Sequence, residues 1–448
     1  MTPANLLLEG PAMPTLEAPA AEIPLADWTR GMKQSPLREI HTLLSRPGLL
    51  SFALGMPAAE LFPVAAYARA ARHVLRTDPE ALQYGLPLRR LKSHVVGLMA
   101  RRGVACTEAE VFITSGAQHA MSLLGQLLVA PGASVVTEEM AYDGMLNALR
   151  PLQPRVRTVP SDVATGMDVE ALEALLASGE RPALVYTIPE GHNPLGASMP
   201  ADARRRLVEA AARHGVPVIE DDAYGLLGYD DAPAPALRTL DPRWTLYVGS
   251  FSKIMAPALR AGWIVAPEPL VQRLSILKQG SDLDVCSFAQ RSLAAFLDRE
   301  DLDAHLARLR QVYGARRDAL LAALAAHFPA EARWSCPRAG IFAWVQVPGA
   351  DTTALLRRAV EEAGVAFVPG RAFCAQGGTR GGDALRLNFS RPSVEQIHDG
   401  IQRLAGILAP RAVRLPAGLR PRDGMPAGRA APPESTLRSP TTTTRPVP

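Results

Sequence analysis

The chain has 448 residues, 48% of them apolar and 21% charged, with a formal net charge of +4, the make-up of a globular protein with a large core. Its four cysteines (Cys106, Cys286, Cys336, Cys374) are scattered, with no C-x-x-C pair and no histidines at metal-ligand spacing. That pattern excludes a disulfide framework and a structural zinc site as expectations, and predicts a reducing, cytoplasmic setting. Nucleic-acid binding is not supported either: seven arginines gather in residues 410–448, and no basic stripe with interleaved aromatics runs through the middle.

Residues 1–27 are rich in Pro and Ala, carry acidic side chains only and have no basic n-region, which predicts a disordered arm and not a signal peptide. The uncharged stretch Val111 to Thr137 is long enough to span a membrane. Ser115-Gly116, Gly125 and Pro131-Gly132 break it, and it holds Gln118 and Gln126. It reads as strand, turn, helix, turn, strand, and no membrane span is expected.

Short apolar strands then alternate with helices. Strands are predicted at Val111–Thr114, Ser134–Thr137, Val156–Val159, Ala183–Thr187, Val216–Ile219, Leu246–Val248 and Trp263–Val265, with helices such as Asp168–Leu176 and Ala201–His214. Continuous apolar strands between helices imply an α/β fold with a mostly parallel sheet covered on both faces. Past residue 300 the pattern changes to a helix at Leu302–His327, strands at Ile341–Val347, Ala366–Pro369 and Ala384–Phe389, and helices near 352–363 and 394–408. The expected organisation is an arm (1–27), a segment of a small domain (28–75), a large α/β domain (76–300), a small α+β domain (301–409) and a disordered tail (410–448) with nine prolines and a Thr run.

Ligands of parallel α/β sheets bind outside the carboxyl ends of the strands. Four predicted strands are followed by polar groups: Ser115-Gly116-Ala117-Gln118, the loop Glu190 to Gly196 with Asn193-Pro194, Asp221-Asp222-Ala223-Tyr224, and Ser250-Phe251-Ser252-Lys253 with Arg260 beyond. Lys253 is one of four lysines beside forty-four arginines. Lysine can serve as a Schiff-base nucleophile and arginine cannot, although a leftover surface lysine is the plainer reading of Lys253 alone. The Gly116 turn into a helix has the form of a phosphate cradle, or of an ordinary structural turn. Asp221 could pair with a pyridinium nitrogen, bind Mg²⁺ with Asp222, or cap a loop. His192 is either an acid/base group or a satisfied loop histidine. Arg386, within the alternating Ala384 to Phe389 segment, either faces solvent or clamps a carboxylate through two parallel hydrogen bonds.

In combination, Asn193-Pro194-x-Gly196, Asp221-x-Ala223-Tyr224 and Ser250-x-Ser252-Lys253 with Arg260 resemble the class I/II aminotransferases of the type I pyridoxal-phosphate fold, over roughly residues 30–408. Within them the chain is most similar to the 2-aminoadipate and aromatic aminotransferase branch. The resemblance implies that Lys253 forms an aldimine with pyridoxal 5'-phosphate and shuttles a proton, and that Asp221 pairs with the ring nitrogen. It gives Asn193 and Tyr224 the ring hydroxyl, and Tyr142 the ring face. Gly116, Ala117, Gln118, Ser250, Ser252 and Arg260 take the phosphate. Arg386, with Asn193 and Gly55, takes the substrate. Tyr84, in Gln83-Tyr84-Gly85, would reach the phosphate of a neighbouring subunit, so a homodimer with shared active sites is implied. No metal is expected.

The chain also departs from that family. Leu86 to Lys92 follow Gln83-Tyr84-Gly85 directly, Ala117 lacks a hydroxyl common there, Glu190-Gly191-His192 stands where an aromatic and a glutamine are usual, and Leu195 replaces a threonine. The expected activity is transfer of an α-amino group between an amino acid and a 2-oxo acid. Elimination, decarboxylation or oxidation on the same scaffold is the competing enzymatic reading, and a non-catalytic sensor domain the third.

Overall fold

The computed structural model describes residues 24–30, 48–229 and 234–408. Most of the expected arm at 1–27 and all of the expected tail at 410–448 lie outside the described residues.

The larger of the two main sheets has seven strands: β1 (Val111–Thr114), β2 (Ser134–Glu138), β3 (Arg155–Val159), β4 (Val185–Thr187), β5 (Val218–Asp221), β6 (Thr245–Ser250) and β7 (Gly262–Val265). Their order in space is β1-β7-β6-β5-β4-β2-β3. From β3 through β6 the neighbours run parallel. β7 is antiparallel to both β6 and β1, so the sheet is mostly parallel, as the apolar strands predicted.

Every residue of β1, β2, β4, β5, β6 and β7 is buried, whereas β3 at the edge exposes Arg155 and Arg157. Sheets covered on both faces need strands apolar throughout, and an edge is protected by charge. Helices Val169–Ala177 and Ala201–Arg213 cover one face, packing Leu172, Leu176, Leu207 and Ala211 with Val136, Val185 and Val218. The uncharged stretch is the strand β1, the helix Ala117–Leu128 and the strand β2. No helix among the described residues is long and apolar enough to cross a membrane.

The second sheet is antiparallel: β8 (Arg333–Trp334), β9 (Phe342–Gln346), β10 (Val368–Pro369) and β11 (Ala384–Asn388), in the order β8-β9-β11-β10. Helices Leu302–His327 and Val394–Leu408 pack together beside it. Two expectations are corrected here. The strand predicted at Ala366–Pro369 is two short ones: Val365–Ala366 pairs with Leu50–Ser51, and only Val368–Pro369 joins β11. The helix predicted at 352–363 is α-helical over Thr352–Arg358 and widens into a π turn at Ala359–Ala363. An apolar run sets a strand, but its pairing partner decides where it divides.

Candidate active site

The carboxyl ends of the parallel strands and the antiparallel sheet enclose a cavity of about 360 Å³. Ala117 and Gln118 reach it from behind β1, Tyr142 from behind β2, and Asn193 from behind β4. Asp221 and Tyr224 come from β5 and its loop, Ser250, Ser252 and Lys253 from β6 and its loop, and Arg260 follows. Gly55, Phe342, Val368 and Arg386 close the far side. The fold thus gathers the residues predicted from sequence, with two exceptions. Gly116 sits one residue behind the wall, and Tyr84 is 79% exposed beside Leu82 and Leu283, outside the cavity.

The amine is held by the backbone. Lys253 Nζ donates to the Gly55 carbonyl at 2.7 Å. Burial, together with the nearby Arg386 and Arg260 cations, lowers the amine to about 8 against the opposing pull of Asp221. An amine depressed that far is partly uncharged near neutral pH and can act as a nucleophile. The other described lysines are placed differently: Lys278 pairs with Asp282, and Lys92 reaches the Glu108 carbonyl. Lys33 lies outside the described residues.

Next to the amine is an anion cradle. Gly116 caps the helix Ala117–Leu128 at φ +91°, a conformation open to glycine. A Cβ there would lie 2.6 Å from Arg260 Nη2. Arg260 donates to the Ser115 carbonyl at 3.1 Å, which fixes its guanidinium beside the helix N-terminus. Ser250 Oγ accepts from the Ser252 N–H at 3.1 Å. Helix dipole, guanidinium and two hydroxyls in one corner favour a multiply charged anion. Gln118 Nε2 donates to the Gly144 carbonyl at 2.6 Å, tying the cradle to the turn that carries Tyr142.

Asp221 and Asp222 go to opposite faces of the sheet. Asp221 lines the cavity, accepts from the Tyr186 hydroxyl at 2.8 Å through Oδ2, and leaves Oδ1 buried without a partner. Burial raises its carboxyl to about 6; Asp222 pushes the same way, while the Tyr186 hydrogen bond, Lys253 and His192 oppose. Asp222 accepts from Arg102 Nε at 2.6 Å and from the Tyr247 hydroxyl at 2.9 Å. It does not line the cavity, and no cluster among the described residues could hold a metal ion.

Arg386 is buried, not solvent-facing. Its Nη1 donates to Asn193 Oδ1 at 2.8 Å and its Nη2 to the Ala53 carbonyl at 2.6 Å, while Nε has no partner. The guanidinium lies 4.2 Å from the Phe342 ring centre and 4.6 Å from that of Phe373. Burial lowers it to about 10. The Tyr224 ring meets Phe342 edge-on at 6.0 Å, and burial raises its hydroxyl, so it stays protonated.

His192 is buried behind the site. Its Nδ1 accepts from the Leu195 N–H at 3.4 Å, and its Nε2 stands 3.6 Å from Glu138 Oε1. Glu138 also accepts from Thr187 Oγ1 at 2.6 Å. Sequence reasoning missed Tyr186, Glu138 and Arg102. An acid ending the buried run Ser134–Thr137 was a readable signal for Glu138. Tyr186 looked like any apolar strand residue, and Arg102 follows directly on an arginine-rich helix, Arg89–Arg101.

An amine, an anion cradle, a buried carboxylate and a buried guanidinium at the edge of a mostly parallel sheet define a site for a phosphorylated carbonyl cofactor and a carboxylate substrate. Residues 56–404 match the family described as aminotransferase class I and II. The chain is 39% identical to the 2-aminoadipate transaminase of Thermus thermophilus over 388 residues, 84% of this chain and 94% of that protein. It is 35% identical to the aromatic-amino-acid aminotransferase 1 of Thermococcus litoralis over 404 residues, 87% of this chain and 95% of that one. The crystal structure of LysN, the alpha-aminoadipate aminotransferase of Thermus thermophilus complexed with N-(5'-phosphopyridoxyl)-L-leucine, matches with a TM-score of 0.77 at 37% identity, over 86% of this chain and 98% of that one. The chain belongs to the class I and II aminotransferases, a pyridoxal-phosphate-dependent family of the type I fold.

Proposed function

We propose that this aminotransferase works through Lys253, with Asp221 on the ring nitrogen of pyridoxal 5'-phosphate and Arg386 on the α-carboxylate of an amino acid or 2-oxo acid. The observation that carries the reading is the convergence of a depressed amine, an orphaned buried carboxylate oxygen and a guanidinium on one cavity. The residues fit the cofactor: Asp221 Oδ1 awaits a donor, and the Cβ-free turn at Gly116 against Arg260 suits a phosphate.

When bound, pyridoxal phosphate supplies an aldehyde for amines and a ring that accepts the electron pair released at Cα. Lys253 Nζ would take the proton from the substrate Cα and carry it to the carbon of the cofactor's aldehyde group. Asp221 holds a proton at the ring nitrogen. Gly116, Ala117, Gln118, Ser250, Ser252 and Arg260 bind the phosphate, Tyr142 covers the ring, and Asn193 and Tyr224 orient its hydroxyl. Arg386, stacked between Phe342 and Phe373, fixes the carboxylate and hence the direction of Cα–H. Gly55 accepts from the amine and borders the substrate.

The names of the relatives point to aromatic amino acids or 2-aminoadipate as donors. The exposed Leu82, Tyr84, Leu86 and Leu283 support a homodimer in which Tyr84 reaches the partner's phosphate. A cytoplasmic setting fits the four free cysteines. A larger body (76–300) and a smaller one (28–75 with 301–409) are proposed as its domains, supported by the pairing of Leu50–Ser51 with Val365–Ala366.

Borohydride reduction of the yellow protein followed by peptide mapping tests the assignment. The adduct is expected on Lys253; an adduct on Lys33, Lys92 or Lys278 overturns it. Phenylalanine and 2-aminoadipate, offered with a 2-oxo acid acceptor, test the donor class.

A further inference from the structure

Tyr186 is the buried group closest to this chemistry that no role above employs. It is 1% exposed and stands in β4 directly across from Ile219 of β5. Side chains of a strand return to one face every second residue. Asp221, two residues beyond Ile219, therefore shares that face, one step nearer the carboxyl end. A tyrosine spans this diagonal, and its hydroxyl donates to Asp221 Oδ2 at 2.8 Å. Among the described residues it is the only hydrogen-bond donor to the Asp221 side chain. Oδ1 stays free on the cavity side.

We propose that Tyr186 is a positioning residue: by occupying Oδ2 it fixes the plane of the Asp221 carboxylate and reserves Oδ1 for the ring nitrogen of the cofactor. The inference rests on the reading of Asp221 as the partner of that nitrogen. A carboxylate with both oxygens free could rotate about its Cβ–Cγ bond and would hold a proton more readily.

The charged and titratable groups around Asp221 set the balance. Burial and Asp222, the next residue along the chain, favour the protonated acid. Tyr186 on β4, Lys253 behind β6 and His192 behind β4 favour the anion. Tyr142 and Tyr224 also face it, with hydroxyls that burial keeps neutral. Removing the Tyr186 hydroxyl makes the carboxylate more basic, and the shared proton then moves from the ring nitrogen toward Asp221.

Tyr186→Phe keeps the ring and its packing and deletes one oxygen. Three measurements are made on it and on Asp221→Asn: affinity of the cofactor-free chain for pyridoxal phosphate, the ¹⁵N resonance of the labelled ring nitrogen in the holoenzyme, and the acidic limb of kcat/KM. For Tyr186→Phe the affinity is expected to fall about tenfold, the worth of one hydrogen bond to a charged group. The ¹⁵N resonance should move toward that of an unprotonated pyridine, and the acidic limb should rise by about one pH unit. Affinity within twofold of the parent with an unmoved ¹⁵N resonance overturns the proposal, even where the variant loses stability. If Asp221→Asn moves the resonance and Tyr186→Phe does not, the inference alone fails. If neither moves it, the reading of Asp221 fails as well.

Discussion

The two faces of β5 meet the same local problem in different ways. Each adjacent carboxylate receives a tyrosine hydroxyl from a neighbouring strand. Tyr186, across from Ile219, serves Asp221, and Tyr247, across from Glu220, serves Asp222. On the face of Asp222 a buried Arg102 completes an ion pair at 2.6 Å. On the cavity face no cation among the described residues bonds to Asp221, so burial and Asp222 hold its carboxyl up at about 6. Each face leaves a carboxylate oxygen without a hydrogen-bond partner, Asp221 Oδ1 on one and Asp222 Oδ1 on the other; the difference is that Asp222 is charge-paired by Arg102, whereas Asp221 lines the cavity. A buried carboxylate without a cation, open to a cavity, marks the working face; a buried carboxylate paired with a cation marks the scaffold.

The largest test of this contrast is Lys253→Ala. It should lower transamination at least ~10⁴-fold, because the proton carrier is gone, while circular dichroism shows the fold intact. Retained turnover would move the chemistry off the cavity face. Asp221→Ala should cost about 10³-fold in kcat through lost electrostatic stabilisation. Asp222→Ala should act differently: stranding Arg102 in the interior costs about 3–5 kcal/mol of stability, readable by urea unfolding, with a smaller loss of kcat in the folded fraction. Equal activity losses, or activity sensitive to chelators, would erase the distinction between the faces.

Arg386→Ala sharpens the comparison on the substrate side. A charge-assisted clamp in a desolvated pocket is worth about 3–5 kcal/mol in kcat/KM, and Arg386→Lys should recover only part of it because a lysine cannot make two parallel bonds. The cofactor should stay bound, with the pH dependence of its spectrum shifted, because Arg386 also depresses the Lys253 amine and holds Asn193. A loss of only a few-fold would mean that the substrate carboxylate is held elsewhere.

The cavity face should also have a pH signature in the cofactor-free chain. The Asp221 carboxyl rises from its ordinary 3.8 to about 6 on folding, so the folded chain binds the proton more tightly than the unfolded one. The stabilisation is full below about 3.8 and is lost as pH rises through about 6, a change of about 3 kcal/mol. Asp221→Asn should flatten that slope in denaturant unfolding at pH 4 to 8; an unchanged slope would contradict the strained carboxylate. The smallest effect is expected from deleting residues 411–448. That segment, with its eight prolines and Thr run, offers no periodic apolar face, and gel filtration and turnover should match the parent.

The sequence by itself determined a good deal. Apolar runs too continuous for a half-exposed sheet set the covered parallel strands β2, β4, β5 and β6, and polar residues past most of those runs set which side would carry chemistry. The scarcity of lysine singled out Lys253 because amine chemistry needs a deprotonatable group. Spacing along one strand and loop sufficed for these features. Arg386 could not be settled in the same way: alternation within β11 left it between solvent and site, and only Phe342 on β9, Phe373 and the Ala53 carbonyl show it enclosed. Tyr186 and Arg102 were illegible for the same reason. Their meaning lies in strand register and in a helix end that meets the strand from more than a hundred residues away. A side chain's neighbours along the chain are written in the sequence, whereas its neighbours across a sheet follow from pairing, which every strand decides jointly.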